Sequence, residues 1–185
     1  MKKTLLLAVT GITAFASFFV ACNKDDDPPM ATPMTLYDSL GGTTMVTDPA
    51  NTSMQIEQGR LGIRSVVDST IFVIAADPAL NPYFATLLSE VGAGDLSGFQ
   101  MLSENLTDFF CVATGAENFT YNGLNMTDAH DPAKNGRMNG TADNAAFDQF
   151  IVDLVAGANK NGLPDYLIAR VGEVVETLRT TVVQR

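Results

Sequence analysis

The chain holds one histidine, His130, in 185 residues. One imidazole cannot build a multi-histidine metal site. Asp128 and Asp131 sit close to it in sequence, which suggests a mixed carboxylate–imidazole metal cluster, although such acidic clusters are common in ordinary loops. A lone histidine is also often a surface or hydrogen-bonded polar group. A nucleophilic triad would have to use His130, yet no GxSxG nominates a serine partner, and no Gly-rich phosphate loop is present. The two cysteines, Cys22 and Cys111, lack CxxC spacing, which excludes a disulfide framework and a cysteine-based zinc site. Cys111 lies among Phe109, Phe110 and Val112 and reads as a buried, inert thiol. One chemistry does need a single imidazole: a haem iron held by one proximal histidine. Its pocket must otherwise be apolar and aromatic, and the chain holds 11 phenylalanines in all.

The elements that would position His130 read as helices. Phe147, Phe150, Ile151, Leu154, Val155 and Ala158 fall on one helical face. Thr141 or Asp143 can cap its start, and Asn161-Gly162 stops it. A second helix opens at Pro164 and runs through Leu167, Ile168, Val171, Val174, Val175, Leu178 and Val182. The short turn between them predicts antiparallel neighbours. Ile63, Val66, Val67, Ile71, Ile74 and Ala75 predict a third helix, ended by Asp77-Pro78. Phe99, Leu102, Leu106, Phe109, Phe110 and Ala113 predict a fourth, ended by Gly115. No run alternates over strand length, so the expected fold is all-α. Some thirty residues rich in Asn, Gly and Asp follow the fourth helix, and a loop that long is usually functional or holds short helices. Leu124 to His130 has room for one or two helical turns.

Composition narrows the class further. At 46% apolar residues the chain can bury a core, which excludes disorder throughout. A net charge of −10 argues against nucleic acid as a partner, since that affinity comes from Lys and Arg on phosphates. Lys2 and Lys3 precede a near-continuous apolar run, Thr4 to Ala21, which reads as a signal peptide over 1–21. Ala21-Cys22 resembles a bacterial lipoprotein cleavage box, leaving Cys22 as a lipidated N-terminus. A plain secretory peptide and an N-terminal membrane helix are the alternatives. Residues 22–33, with Asp25-Asp26-Asp27-Pro28-Pro29, read as an acidic tether. Such an acidic run resembles surface-export signals of some bacterial lipoproteins, and an ordinary solvated linker is the other reading. The expected location is the cell envelope, outside the cytoplasm, periplasmic or on the outer-membrane surface, with membrane contact through the lipid. The folded domain is expected over 34–185.

Five segments, in order, carry a resemblance. Thr35-Leu36-Tyr37-Asp38-Ser39-Leu40-Gly41-Gly42 opens the domain. Ala76-Asp77-Pro78 and Leu80-Asn81-Pro82-Tyr83-Phe84 follow. Next come Leu106-Thr107-Asp108-Phe109-Phe110 with Thr114-Gly115-Ala116, then Tyr121-Asn122-Gly123, Met126 and Ala129-His130. Phe147 onward, with Gly162-Leu163-Pro164, closes the series. Together they resemble the truncated haemoglobins, group I in particular, across about 150 residues. The resemblance implies a two-over-two helical sandwich around haem b, iron protoporphyrin IX. It implies that His130 ligates the iron and that Phe84 stacks on the ring, where simple core packing is the alternative role for Phe84. It places Ile71, Leu102, Leu106, Phe110, Met126 and Tyr121 around the haem.

The chain departs from the family where the gas would sit. The family's distal tyrosine falls at Ile71, after Thr70, and two positions that often carry polar residues fall at Leu102 and Leu106. The expected distal face is nearly free of hydrogen-bond donors, which should speed O2 release and favour CO or NO. Thr70 can bond back to its own helix. Tyr83 and Gln100 are the nearest residues in sequence that could fold in as donors. Two insertions, Thr43 to Gly59 and Ala133 to Thr141, also depart from the pattern. Lys134 and Arg137 in the second are close enough in sequence to reach haem propionates or to remain exposed loop charges. Met138 is expected in the core rather than as a second iron ligand.

The expected function is reversible binding of a diatomic gas (O2, NO or CO) at a His-ligated iron in an envelope-anchored protein, without catalytic residues. One alternative is a haem-dependent redox enzyme, peroxidase or NO-converting, served by an unknown reductase. The other is a haem-free helical lipoprotein that binds a partner.

Overall fold

Thr35 starts the fold with a reciprocal cap. Its hydroxyl accepts from the Asp38 N–H at 3.0 Å, and the Asp38 carboxylate accepts from the Thr35 N–H at 2.9 Å, which starts helix α1, Leu36–Ser39. The computed structural model describes residues 33–185. The expected leader, Cys22 and all but the last residue of the tether lie outside them. Gly41 and Gly42 then take positive φ values of 128° and 58° and turn the chain.

A two-stranded antiparallel hairpin comes next: β1, Met45–Asp48, and β2, Asn51–Glu57, pairing Val46 with Ile56. The all-α expectation missed it. The hairpin fills the first insertion and stands largely in solvent, with Ile56 its one buried residue. Neither face is an apolar face, so no alternation marks it in the sequence. It is held instead by polar links. Asp48 accepts from the Ala50 N–H at 2.8 Å and takes a two-pronged bond from Arg64 on the next helix, at 2.6 and 3.1 Å.

The expected helices form where the apolar spacing puts them. Helix α2, Gln58–Ala76, buries Ile63, Val67, Ile71 and Ile74 and ends at Asp77, whose extended backbone suits the residue before Pro78. A 3-10 turn, Asn81–Phe84, leads into α3, Ala85–Gly92. Helix α4, Ser97–Ala113, ends before Gly115, which takes φ of +99°. Helix α5, Met126–His130, is a single turn. Helix α6, Asn144–Lys160, is capped by Asp143, which accepts from the Ala146 N–H at 2.8 Å, and stops at Asn161. Helix α7, Asp165–Glu176, starts after Pro164.

The last helix differs from the expectation of one run to Val182. It breaks at Thr177-Leu178, and α8, Arg179–Val182, follows as a separate turn. The Thr177 hydroxyl donates to Val174 O at 2.7 Å, and Arg179 bonds Asp148 and stacks 4.4 Å over the Phe147 ring. The break lets Gln184 donate to Ala142 O from its backbone and to Thr127 O from its side chain, each at 2.9 Å. The C-terminal end is thereby tied to α5.

Helix α2 packs on α4 and crosses α6, and α6 packs on α7. Tyr37, Val67, Cys111, Phe147, Leu154 and Val175 lie at the core of these helices. Cys111 is fully buried and burial pushes its thiol up to about 11, so it stays protonated and inert, as expected. Among the described residues no single helix is long and apolar enough to cross a membrane.

Candidate functional site

The long polar stretch after α4 is organised around His130. The Tyr121 hydroxyl donates to Leu124 O at 2.5 Å and closes the loop before α5. Asn125 caps the helix by accepting from the Asp128 N–H at 2.9 Å, while its amide donates to the Asp128 carboxylate at 2.8 Å. Behind the helix, the Asn135 amide donates to Ala129 O at 2.8 Å. A single turn has no helical stability of its own, so these side-chain bonds and the C-terminal tie hold α5 in place.

The imidazole is oriented by its own helix. Nδ1 of His130 lies 2.8 Å from Met126 O. A carbonyl only accepts, so Nδ1 carries the hydrogen and Nε2 keeps its lone pair. Burial holds the imidazole below its ordinary pKa, partly opposed by the Met126 bond. His130 is therefore neutral at neutral pH, which is the form that ligates a metal. Asp128 and Asp131 do not join it: Asp131 accepts from the Ala133 N–H at 2.8 Å and Asp128 is spent on the cap. Among the described residues no group of three or more His, Cys, Asp or Glu side chains could hold a metal ion, so the mixed cluster considered from sequence does not form.

His130 lines a cavity of about 330 Å³. Ile71 and Ile74 come from α2, Leu102, Leu106, Phe109 and Phe110 from α4, and Phe147 and Phe150 from α6. Leu178 and Val182 line it from the segment that follows the break in the last helix. The structure brings all eight sequence-nominated residues to this one cavity: Ile71, Phe84, Leu102, Leu106, Phe110, Tyr121, Met126 and His130. Phe84 is held there by the second insertion, in which the Asn139 N–H donates to Tyr83 O at 2.8 Å and its carboxamide accepts from the Thr86 N–H at 2.9 Å.

No protein-family model and no curated protein matches the chain in sequence. Solved structures do match its fold. Three of them are Fe(III) forms of point mutants of a truncated haemoglobin from Tetrahymena pyriformis. Each has a TM-score of 0.58 and 22% identity, and each comparison covers 82% of this chain and 99% of that one. The chain has the truncated-haemoglobin fold. Within that fold the His130 cavity is the one just described, and its residues suit a haem: one imidazole nitrogen is uncommitted, and the walls are apolar and aromatic.

The remaining nominated residues divide. Thr70 is buried, bonds Val66 O at 2.8 Å and does not line the cavity. Gln100 is exposed and lies outside it. Tyr83 lines the cavity, but its hydroxyl accepts from Arg185 at 3.1 Å. Lys134 is exposed and away from the cavity, whereas Arg137 lines it and pairs with Glu90 of α3 at 2.9 Å. Met138 is buried in the cavity wall. Several lining residues were not singled out from the sequence, among them Leu87, Leu88, Met101 and Asn135 and, on the Leu102-Asn105-Leu106-Phe109 face of α4, Asn105. The helical spacing would have found it, since it stands three residues after Leu102 and one before Leu106.

Proposed function

We propose that this chain is a haem protein of the truncated-haemoglobin type that holds haem b through His130 and binds a diatomic gas reversibly. The observation that carries the reading is the His130 side chain, with Nδ1 fixed by Met126 O and Nε2 left free, in the wall of an apolar cavity. The haem would supply the iron that takes up the gas. Nε2 of His130 would hold that iron, Phe84 would stack against the ring, and Leu102, Leu106 and Phe110 would keep water out. Arg137 at the same cavity would offer a guanidinium to a propionate in place of Glu90. The proposal places the protein at the cell envelope, outside the cytoplasm, anchored through an acyl chain on Cys22.

Replacing His130 with Ala tests the ligand assignment. The variant should fail to bind stoichiometric haem, because the chain has no other imidazole. External imidazole should restore the haem absorption. Full haem content and an unchanged Soret band in the variant would sink the assignment.

A further inference from the structure

Among the described residues three buried side-chain oxygens have no hydrogen-bond partner: Oδ2 of Asp77, Oγ1 of Thr107 and Oδ2 of Asp153. Two of the three belong to carboxyl groups, and those two groups meet. Helices α2 and α6 pass each other in opposite directions. Asn161 donates to Ser65 O at 3.1 Å and to the Ser69 hydroxyl at 2.9 Å, and one turn earlier on α6 Gly157 abuts Thr70. One turn earlier again stands Asp153, level with the end of α2, which Asp77 closes. The two carboxyls lie within hydrogen-bond reach of each other.

Each carboxyl has its other oxygen engaged. Oδ1 of Asp77 accepts from the Ala79 N–H at 2.9 Å, and Oδ1 of Asp153 accepts from the Gln149 amide at 3.2 Å. Asp153 is 3% exposed, and the side chains that act on its carboxyl are Gln149 and Asp77, with no cation among them. Charged and titratable groups on the packed elements are engaged elsewhere: Asp68 of α2 with Ser103 of α4, Arg170 of α7 with Ser39, Arg179 of α8 with Asp148 and Glu176, and Tyr83 of the 3-10 turn with Arg185. Two ionised carboxylates only accept, so neither Oδ2 can serve the other, and like charges buried together repel. One proton removes both problems, because the protonated oxygen donates to the ionised one in a charge-assisted bond.

We infer that Asp77 and Asp153 share one proton, which clasps the end of α2 to α6 and is released as pH rises. The inference stands apart from the haem reading. Asp77 also accepts from the Asn81 N–H at 2.8 Å through its carbonyl, so it anchors the turn that carries Leu80, Tyr83 and Phe84 to the cavity. Release of the proton therefore loosens one corner of the cavity wall. Burial, and after it the Asp77 carboxyl, holds Asp153 above its ordinary value of 3.8, with the Gln149 bond opposing. The unfolded chain gives up this proton first as pH rises. The stability it carries is complete below about 3.8 and is lost as pH climbs through the folded value.

The test uses the protein as purified and two variants, Asp153→Asn and Asp77→Asn. Neither residue lines the His130 cavity. In each variant the carboxamide donates to the remaining Oδ2 at every pH. Denaturant unfolding between about pH 4 and pH 8 brackets the titration. Asp153→Asn should differ least from the parent at the acid end and gain on it as pH rises. The ratio of their unfolding constants should grow by up to about tenfold per pH unit until the parent's proton is gone. Asp77→Asn should flatten the same dependence from the other side, so one variant decides if the other fails to fold. Carbon-13 NMR of the parent's aspartate carboxyls reads the proton directly: one resonance should titrate well above the ordinary carboxylate range, and Asp153→Asn should lack it. A gap between parent and variants that stays constant with pH would overturn the inference, by making the pair merely structural. Aspartate carboxyls that all titrate in the ordinary range would overturn it too. So would a parent that loses stability on adding EDTA, which would put a metal cation rather than a proton between the two groups.

Discussion

Gly157 sits where α2 and α6 cross, and replacing it with Ala should force the two helices apart. A Cβ built there would lie 2.3 Å from the Thr70 hydroxyl, 2.8 Å from its nitrogen and 2.9 Å from its Cα. Ordinary contact distances are about 3.5–4.0 Å, so each approach is short by more than half an ångström. Two of the three atoms are backbone, and the hydroxyl is already bonded to Val66 O. No rotamer change relieves the clash. Overpacking of this kind costs about 1–3 kcal/mol, and the backbone contacts put Gly157 at the upper end. The better helix propensity of Ala returns about 1 kcal/mol, leaving a net loss of about 2 kcal/mol. For a domain of this size that lowers Tm by about 4–8 °C. Gly172 supplies the control. It is inside α7 with nothing within 4 Å of its built Cβ, so Gly172→Ala should gain about 1 kcal/mol from propensity alone. Thermal unfolding of both variants decides the matter. The same separation should loosen the cavity, since Ile71 and Ile74 line it from α2 and Phe147 and Phe150 from α6. If Gly157→Ala is as stable as Gly172→Ala, the two helices do not meet closely at Gly157.

Two further outcomes follow from His130 and Cys22. Burial lowers the His130 pKa in the folded state from an ordinary value of 6.5, so the unfolded chain binds its proton first as pH falls. The stability tied to neutral His130 is complete above about 6.5 and is lost as pH falls below it toward the folded pKa. Protons also compete with iron for Nε2, so haem retention should weaken in the same window. Unfolding of the haem-free parent and of His130→Ala between pH 7 and 5 checks the first effect, and a stability difference that grows in the parent's favour on acidification would contradict it. Cys22→Ser should abolish labelling by a radioactive fatty acid in cells making the full chain, because the thiol is the attachment atom; equal labelling of parent and variant would remove the anchor from the proposal.

The long amphipathic helices were legible because one face of each is buried. Ile63, Val67, Ile71 and Ile74 recur at helical spacing, and Asp143, Asn161 and Asp77-Pro78 mark ends that the structure keeps. The cavity residues were legible through the family resemblance and the single histidine, not through periodicity. The hairpin was hidden because its stability lies in Asp48–Arg64 and cross-strand backbone bonds rather than in an apolar stripe. The break at Thr177 was hidden because Leu178 and Val182 keep the helical spacing of the residues before them, while Arg179 and Gln184 tie the segment after it to Asp148 and Thr127. Helix α3 is short, with Leu87 its one buried residue, too little for a pattern.

The most direct measurement is a titration of the purified haem-free protein with haemin, followed by absorption. The account predicts a sharp Soret band that saturates at one equivalent of haem per chain, shifted and narrowed relative to free haemin. A broad band that rises without saturation, the same with and without protein, would contradict it.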